Sequence, residues 1–478
     1  MKRSKRRTGA HRLLSGAAAA IVASLLLAGT ASAETLSMTL DEAVRLAVEN
    51  NDQLAMAHSE ARAAEARLTT VRSGFFPGLS ASASYTRLDE APYLDASGFG
   101  SIFAPLMEPF QYLVEHGYLD PSTLEGLQSS GGSDKIYLGT DDVYSIGLTV
   151  TQPLFTGGRL LSAHGAAKHA ARAGEFNAQR AEDQVRYDAT QAYTALVAAR
   201  SGLDVMEEMQ RTIQSHLADV TAMHEQGMVI DSDLMLARVR ASEIERDRNR
   251  AEHLVSLAGA ALAFALGLDV DTVIEPVDDL DAVPGASDDL TLLTARALAH
   301  RPDLASMNEM VGAADNGVTL ARSGYLPQVV LMGNYDWDRP NRSYEPEFYH
   351  HWSATLALSM NVFDWGGTAG RVNEARAGLI RATRARDMFE KAVKLEVKTG
   401  YLELDEAVEG LTIAEDGLAQ AKEAMRVARE AFKNGTATNS DVLDAQSALA
   451  SAEMNRIQSA TGLQLAEARL VLATGGAN

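Results

Sequence analysis

The sequence predicts a mixed membrane protein: a β-barrel portion with four strands per chain, joined to a long α-helical coiled-coil barrel and built as an internal repeat. Three observations predict it. The first is the repeat itself. Ser73-Gly74-Phe75-Phe76-Pro77 returns 250 residues later as Ser323-Gly324-Tyr325-Leu326-Pro327, and Leu154-Phe155-Thr156-Gly157-Gly158 returns about 208 residues on as Val362-Phe363-Asp364-Trp365-Gly366-Gly367. Gly227, Ser232-Asp233 and Gly267 return at the same 208-residue offset as Gly435, Ser440-Asp441 and Gly475. The second is a set of segments in which apolar and polar residues alternate. The third is a pair of proline-free runs too long for a globular domain.

At the N-terminus, Lys2, Arg3, Lys5, Arg6, Arg7 and Arg12 precede a small and apolar stretch, and Ala31-Ser32-Ala33 offers an A-x-A cleavage site. Residues 1–33 therefore read as an export signal. The 34–267 segment is the first repeat, 268–289 a mid-height linker with two prolines, and 290–478 the second repeat. Strands are expected at about 78–87, 143–154, 328–337 and 352–363. Removing the signal takes six of the 43 basic residues and no acids, leaving 37 against 64. Such an acidic chain argues against a nucleic-acid partner. Cysteine is absent, which removes thiol nucleophiles, thiolate metal sites and a lipidated N-terminal cysteine.

In residues 79–86, Leu79, Ala81, Ala83 and Tyr85 take one face against Ser80, Ser82, Ser84 and Thr86. Tyr144, Ile146, Leu148 and Val150 likewise oppose Ser145, Gly147, Thr149 and Thr151. The 352–361 segment repeats the pattern, and 328–337 follows it more loosely. Each strand has about the ten residues that cross a bilayer at a tilt, with a small hydroxylated face suited to a water-filled lumen. Tyr85, Tyr144, Trp337 and Trp352 fall at one end of their strands, where an aromatic girdle meets the lipid interface. Four strands cannot close a barrel, and open edges are not tolerated in lipid. The chain must therefore assemble, and three copies of four strands would make twelve.

Residues 158–226 and 367–434 contain no proline, and at about 1.5 Å per residue each would be roughly 100 Å long. Val397, Leu404, Leu411, Leu418, Met425 and Phe432 are spaced by sevens, with Ala407, Ala414, Ala421 and Ala428 between them. The first run offers Leu196, Ala199, Leu203, Met206, Gln210, Ile213, Leu217 and Val220 at the same phase. Such ladders specify supercoiled helices in close packing. Shorter return helices follow, with capping signals at Thr39, Ser232 and Ser440.

A strand pair between long helices, repeated, behind a signal peptide, resembles the TolC-like outer-membrane efflux proteins, the outer-membrane factors of tripartite efflux and type I secretion systems. The stretches that carry the resemblance are Leu40-Asp41-Glu42-Ala43-Val44-Arg45-Leu46-Ala47, the two Gly-aromatic/Leu-Pro corners, the Phe-Gly-Gly helix starts (Phe155-Thr156-Gly157-Gly158 and Phe363-Asp364-Trp365-Gly366-Gly367), and Asn434-Gly435-Thr436 with Asp441-Val442-Leu443-Asp444-Ala445. The resemblance implies a homotrimer in the outer membrane of a Gram-negative bacterium, its twelve-stranded barrel continuing into a hollow twelve-helix periplasmic tunnel. It also implies that the turns at 226–232 and 434–440 form the tip. Gly227, Met228, Gly435 and Thr436 would there meet a periplasmic adaptor (a membrane fusion protein) that links an inner-membrane pump. One departure stands out: Ala437 occupies a position where family members often carry an arginine that ties the closed tip.

Asp233, Asp441 and Asp444 open the return helices. In a trimeric tube each would form a ring of three at a constriction, favouring cations; helix capping is the plainer reading for Asp233 and Asp441 but explains Asp444 poorly. No catalytic constellation is evident, so the chain is not expected to be an enzyme or to need a cofactor or metal. His224-Glu225-Gln226-Gly227-Met228 lacks the second histidine of a zinc-protease helix, and His350-His351 reads as barrel rim. The long loop at 88–142, with Phe99, Phe103, Phe110, Tyr112 and Tyr118, has two readings: a mobile surface loop with a short helix around 107–115, or a lid over the outer mouth. The competing function is a trimeric coiled-coil adhesin or structural spacer, but an adhesin has one strand block, usually terminal, whereas this chain has two internal ones.

Overall fold

The computed structural model describes residues 36–95, 108–122, 135–137, 140–280, 289–343 and 345–476. The export signal at 1–33, Phe99 and Phe103 of the long loop, and the 281–288 part of the linker lie outside the described residues. In chain order the elements are β1 (Leu36–Met38), α1 (Leu40–Asn50), α2 (Asp52–Ser73), β2 (Gly78–Arg87), β3 (Tyr93–Asp95), β4 (Lys135–Tyr137), β5 (Asp142–Phe155), α3 (Arg159–Glu225), α4 (Asp231–Ala265) and β6 (Ile274–Pro276). They continue with α5 (Leu290–His300), α6 (Pro302–Arg322), β7 (Gln328–Arg339), β8 (Tyr349–Ser359), α7 (Gly367–Lys433) and α8 (Asn439–Thr474). The chain divides into two compact units, one holding residues up to 64 with 171–310 and 382–478, the other holding 65–170 and 311–381.

The second unit contains a four-stranded antiparallel sheet in the order β2-β5-β7-β8. Its two hairpins share one register: Gly78 faces Thr151 in the first and Gln328 faces Ser359 in the second, positions related by the 250- and 208-residue offsets of the repeat. Between the hairpins β5 pairs with β7, with Leu148 opposite Tyr335. Leu79, Leu148, Val150, Leu356 and Leu358 stay exposed, the outward apolar row that lipid would cover. On the other face Ser145 Oγ donates to Asp338 Oδ1 at 2.7 Å. Gly147 makes room for Asp336, whose Oδ1 lies 2.6 Å from where a Cβ would stand. β8 runs over 349–359 rather than 352–363, so Trp352 lies inside the strand. The ladder ends at Ser359 because its partner Gln328 is the first residue after Pro327, which has no N–H to offer. Residues 108–115 of the long loop are helical, and β3 pairs antiparallel with β4.

The first unit is helical. Val397, Leu404, Leu411, Met425 and Phe432 of the α7 ladder are buried, with Leu418 half-buried. The α3 ladder needs correction. Leu196, Ile213 and Val220 are buried, but Leu203, Met206, Gln210 and Leu217 are half-buried, and the inward face instead carries Met209 and His216. A helix of 3.6 residues per turn drifts against a strict heptad, so adjacent positions straddle the packed face. The capping expectation also changes. Thr39 does cap α1 in a reciprocal box with Glu42, but Ser232 and Ser440 cap nothing: α4 begins after Ile230 without a side-chain cap, and Thr438 caps α8.

A small parallel sheet, β1 with β6, adds to the strands expected from sequence; three residues each give no period to read. The Tyr193 hydroxyl serves it, standing 3.0 Å from both the Met38 carbonyl and Asp278 Oδ2, and burial pushes that hydroxyl up to about 12. The two returning helices end differently. Asn51 Nδ2 donates to the Ala265 carbonyl at 3.3 Å at the end of α4. At the repeat-related end of α8, the buried Arg301 donates to the Ala473 carbonyl at 3.1 Å, to Glu396 Oε2 at 2.6 Å, and through two nitrogens to Asp303 at 2.7 and 3.0 Å. Arg180 adds a bond to the Leu472 carbonyl at 2.9 Å.

Burial pushes the Asp303 carboxyl up, but hydrogen bonds and charge from Arg301, with charge from Arg180, outweigh it and hold the group below its ordinary range. A carboxylate with a depressed folded value stabilises the fold above its unfolded pKa of about 4, and that contribution is lost as pH falls through the folded value. Arg301→Met should cost about 1–3 kcal/mol at pH 7, because it removes the paired hydrogen bonds to half-buried Asp303 and the one to the Ala473 carbonyl, while Arg180 still faces Asp303 at 3.3 Å. Urea midpoints should show the deficit shrinking below about pH 4, where Asp303 protonates; a deficit independent of pH would contradict this account.

Candidate functional site

The turn residues and aspartates singled out in the sequence lie at the ends of two helical hairpins, α3–α4 and α7–α8, in the helical unit, whereas the four girdle aromatics lie on the strands. Both turns have one backbone design. Gly227 and Gly435 each sit at φ 73°, a conformation open to glycine and costly for other residues. The Met228 N–H donates to the Met223 carbonyl at 2.9 Å, and the Thr436 N–H to the Ala431 carbonyl at 2.9 Å, so the last carbonyls of each outbound helix are satisfied. Met228 is 61% exposed and Thr436 is exposed, its hydroxyl donating to the Ala431 carbonyl.

Chemically the turns differ. In the first, His224 and Asp231 face solvent and hydrogen-bond to each other at 2.5 Å. Their repeat counterparts, Phe432 and Asn439, are buried. Asn439 Nδ2 donates to the Asp233 carbonyl at 3.1 Å, which turns its oxygen toward His216 Nε2 at 2.7 Å. The His216 proton therefore sits on Nε2. The His216 ring also packs on Phe432 with centroids 5.1 Å apart. Deeper along the hairpins, Arg240 donates to Ser447 Oγ, and Gln446 Nε2 to the Met209 carbonyl at 3.2 Å. Around these polar links Val220, Leu234, Ala237, Met425, Phe432 and Val442 form an apolar cluster, with Ala437 packed against it. Ala437 thus serves as an apolar contact, and the links between the hairpins come from Asn439, Arg240 and Gln446 at buried or half-buried positions, with an exposed bond from Arg429 to Ser215 Oγ at 3.2 Å beside them. Sequence reading missed these three and His216. The available signal was a polar residue at a heptad position: His216 stands seven after Met209.

The three aspartates separate. Asp233 is half-buried and contributes its carbonyl to Asn439. Asp441 is exposed and forms a capping box: the Thr438 backbone N–H and hydroxyl both donate to its Oδ2 at 2.7 Å, and these bonds hold its carboxyl below the ordinary range. Asp444 is exposed and has no hydrogen-bond or ion-pair partner among the described residues. At the strands, the rings of Tyr85 and Tyr144 lie 4.9 Å apart, Trp352 is 73% exposed, and Trp337 is half-buried beside Tyr335 at 4.5 Å. A second exposed aromatic and apolar set was missed: Phe76, Phe155, Tyr325, Phe363 and Trp365, at the opposite ends of the strands. Its signal lay in the very corner motifs that revealed the repeat.

The family described as outer membrane efflux protein matches residues 293–476. The outer membrane protein TolC of Vibrio cholerae is 21% identical over 433 residues, covering 89% of this chain and 88% of that protein. Among solved structures, the Campylobacter jejuni CmeC outer membrane channel superposes with a TM-score of 0.72 at 18% identity, covering 91% of this chain and 85% of that one. The open state of the Neisseria gonorrhoeae MtrE outer membrane channel does so with 0.72 at 17% identity, covering 91% and 89%.

Asn439→Ala would leave buried His216 and the Asp233 carbonyl without their partner, a loss of about 1–3 kcal/mol. Amide hydrogen exchange should accelerate through 431–445 in this variant and not in Thr436→Ala. Equal exchange in both would show that the hairpins are held by apolar packing alone.

Proposed function

We propose that this chain, a TolC-like outer-membrane efflux protein, is the exit duct of a tripartite efflux or secretion system. Three copies would close a twelve-stranded barrel in the outer membrane, with the helices forming a twelve-helix tunnel through the periplasm. The turns around Gly227, Met228, Gly435 and Thr436 would dock a periplasmic adaptor, which couples the duct to an inner-membrane pump. The observation that carries this reading is a four-stranded sheet whose apolar row and both outer strands are exposed, in a chain whose other elements include two 67-residue helices. Strands of this kind need lipid on one face and further strands at their edges. An adhesin or spacer has no use for two internal strand blocks.

Exposed Asp441 and Asp444 lie three apart in the first turns of α8 and so on one helix face. Capping accounts for Asp441, while Asp444 remains uncommitted. Rings of three such carboxylates would sense one another within a Debye length of about 8 Å and favour cations. Liposomes carrying the purified protein should swell in iso-osmotic sugar, and planar bilayers should show cation-selective reversal potentials. Asp441→Asn with Asp444→Asn should move those potentials toward zero and weaken block by magnesium or cobalt ions, with assembly intact. Absence of swelling would favour the adhesin or spacer; unchanged potentials would leave capping as the role of these aspartates.

A further inference from the structure

The sheet has two outer strands, β2 and β8, and neither carries the usual protection of an edge. All ten residues of β2 are exposed, and its sole formal charge is Arg87 at the end. β8 holds no proline, lysine or acid. Edges like these are templates for pairing with another chain.

The repeat states which register that pairing takes. A shift of 250 residues carries β2 onto β7, and one of 208 carries β5 onto β8. Applied to the β2–β5 hairpin, these shifts turn Gly78 opposite Thr151 into Gln328 opposite Ser359, the observed β7–β8 pair. The same shifts applied to the β5–β7 seam carry β5 onto β8 and β7 back onto β2. No β2 is available there within one chain, because β2 and β8 lie at opposite edges of its own sheet. The seam must be completed by a second copy.

We infer that the free edge of β8 pairs antiparallel with β2 of a neighbouring copy in a single register, with Ala357 opposite Ser84 and Leu358 opposite Ala83. This follows from Thr149 opposite Asn334 and Val150 opposite Gly333 in the observed seam. The inference rests on the assembly proposed above and adds its register. Residue chemistry agrees at each step. The observed Leu148–Tyr335 pair becomes Leu356 opposite Tyr85, the same aliphatic–aromatic combination on the outward face. Gly147 opposite Asp336, where the glycine makes room for the carboxylate, becomes Thr355 opposite Thr86, a favourable hydroxyl pair. Ser359 meets Ser82 on the same polar face. A slip of one residue would turn every one of these side chains to the wrong side. The correspondence stops below the strands: Gly157 packs tightly against Leu326, whereas its counterpart is the exposed Trp365, so the base of the new seam takes its own arrangement.

The chain has no cysteine, so introduced pairs report without background. Within one copy the two strands are separated by three strand spacings, roughly 14 Å, beyond the 7 Å or so that a disulfide spans between Cα atoms; crosslinks are therefore intermolecular. Ala357→Cys would be combined in turn with Ser84→Cys, Ser82→Cys and Thr86→Cys, and Leu358→Cys with Ala83→Cys, Ala81→Cys and Tyr85→Cys. The full-length protein is oxidised in isolated outer membranes. Adjacent positions are used because one of each neighbouring two is the closer, non-hydrogen-bonded pair. At least one of the Ser84 and Ala83 combinations should crosslink about tenfold more than its offset controls, with covalent product ending at three chains. Dominance of an offset pair would overturn the register while leaving the assembly. No crosslink at any pair in a protein of trimeric mass would overturn pairing between these edges. No crosslink with a monomeric mass would remove the assembly reading as well.

Discussion

Backbone N–H and C=O groups inside hydrocarbon have only one another to bond with. The rest of this structure depends on that constraint. Four strands satisfy their shared ladders but leave two outer edges open. The apolar rows can go to lipid without cost, whereas the edges can be satisfied only by more strand. In the proposed duct, assembly is therefore a requirement of the sheet, and the small hydroxylated face, with Ser145, Thr149, Ser82 and Ser84, would line whatever the closed sheet surrounds.

The two halves share a backbone plan and diverge in chemistry at matched places. Asn51 closes the end of α4 with one neutral hydrogen bond, whereas the buried Arg301 closes the end of α8 while paired to the half-buried Asp303 and Glu396. His224 and Asp231 meet in solvent at one turn, while Phe432 and Asn439 are buried at the other. In both comparisons it is the second half whose ends are tied down by buried polar groups. Such groups tolerate few alternative arrangements, because each one left unpaired costs its full desolvation.

The strands and turns were legible because their signals are local and periodic. Alternation over ten residues leaves little choice of face, and the glycine of each turn announces its left-handed backbone. What escaped reading depends on partners far apart in sequence. Met38 and Ile274 form a small sheet from three-residue segments with no period of their own. On α3 the ladder drifts by one position: Met209 is buried where the heptad points to Gln210, and His216 is buried beside Leu217, which itself packs against the Val220 cluster; heptad spacing cannot distinguish such neighbours. Asn439 reads as an ordinary helix start; only the fold brings it to His216. Ser232 and Ser440 have the spacing of caps in the sequence, but Thr438 makes the cap in one turn and no side chain makes it in the other.

The number of copies that surround the strand unit is the most direct test of the proposed assembly. A single-particle reconstruction of the full-length protein in lipid nanodiscs measures this without any probe or substitution. Three copies around one closed ring of strands, continuous with their helices, is the predicted result. A lone chain with β2 and β8 unpaired in lipid, or a ring of any other number of copies, would contradict it.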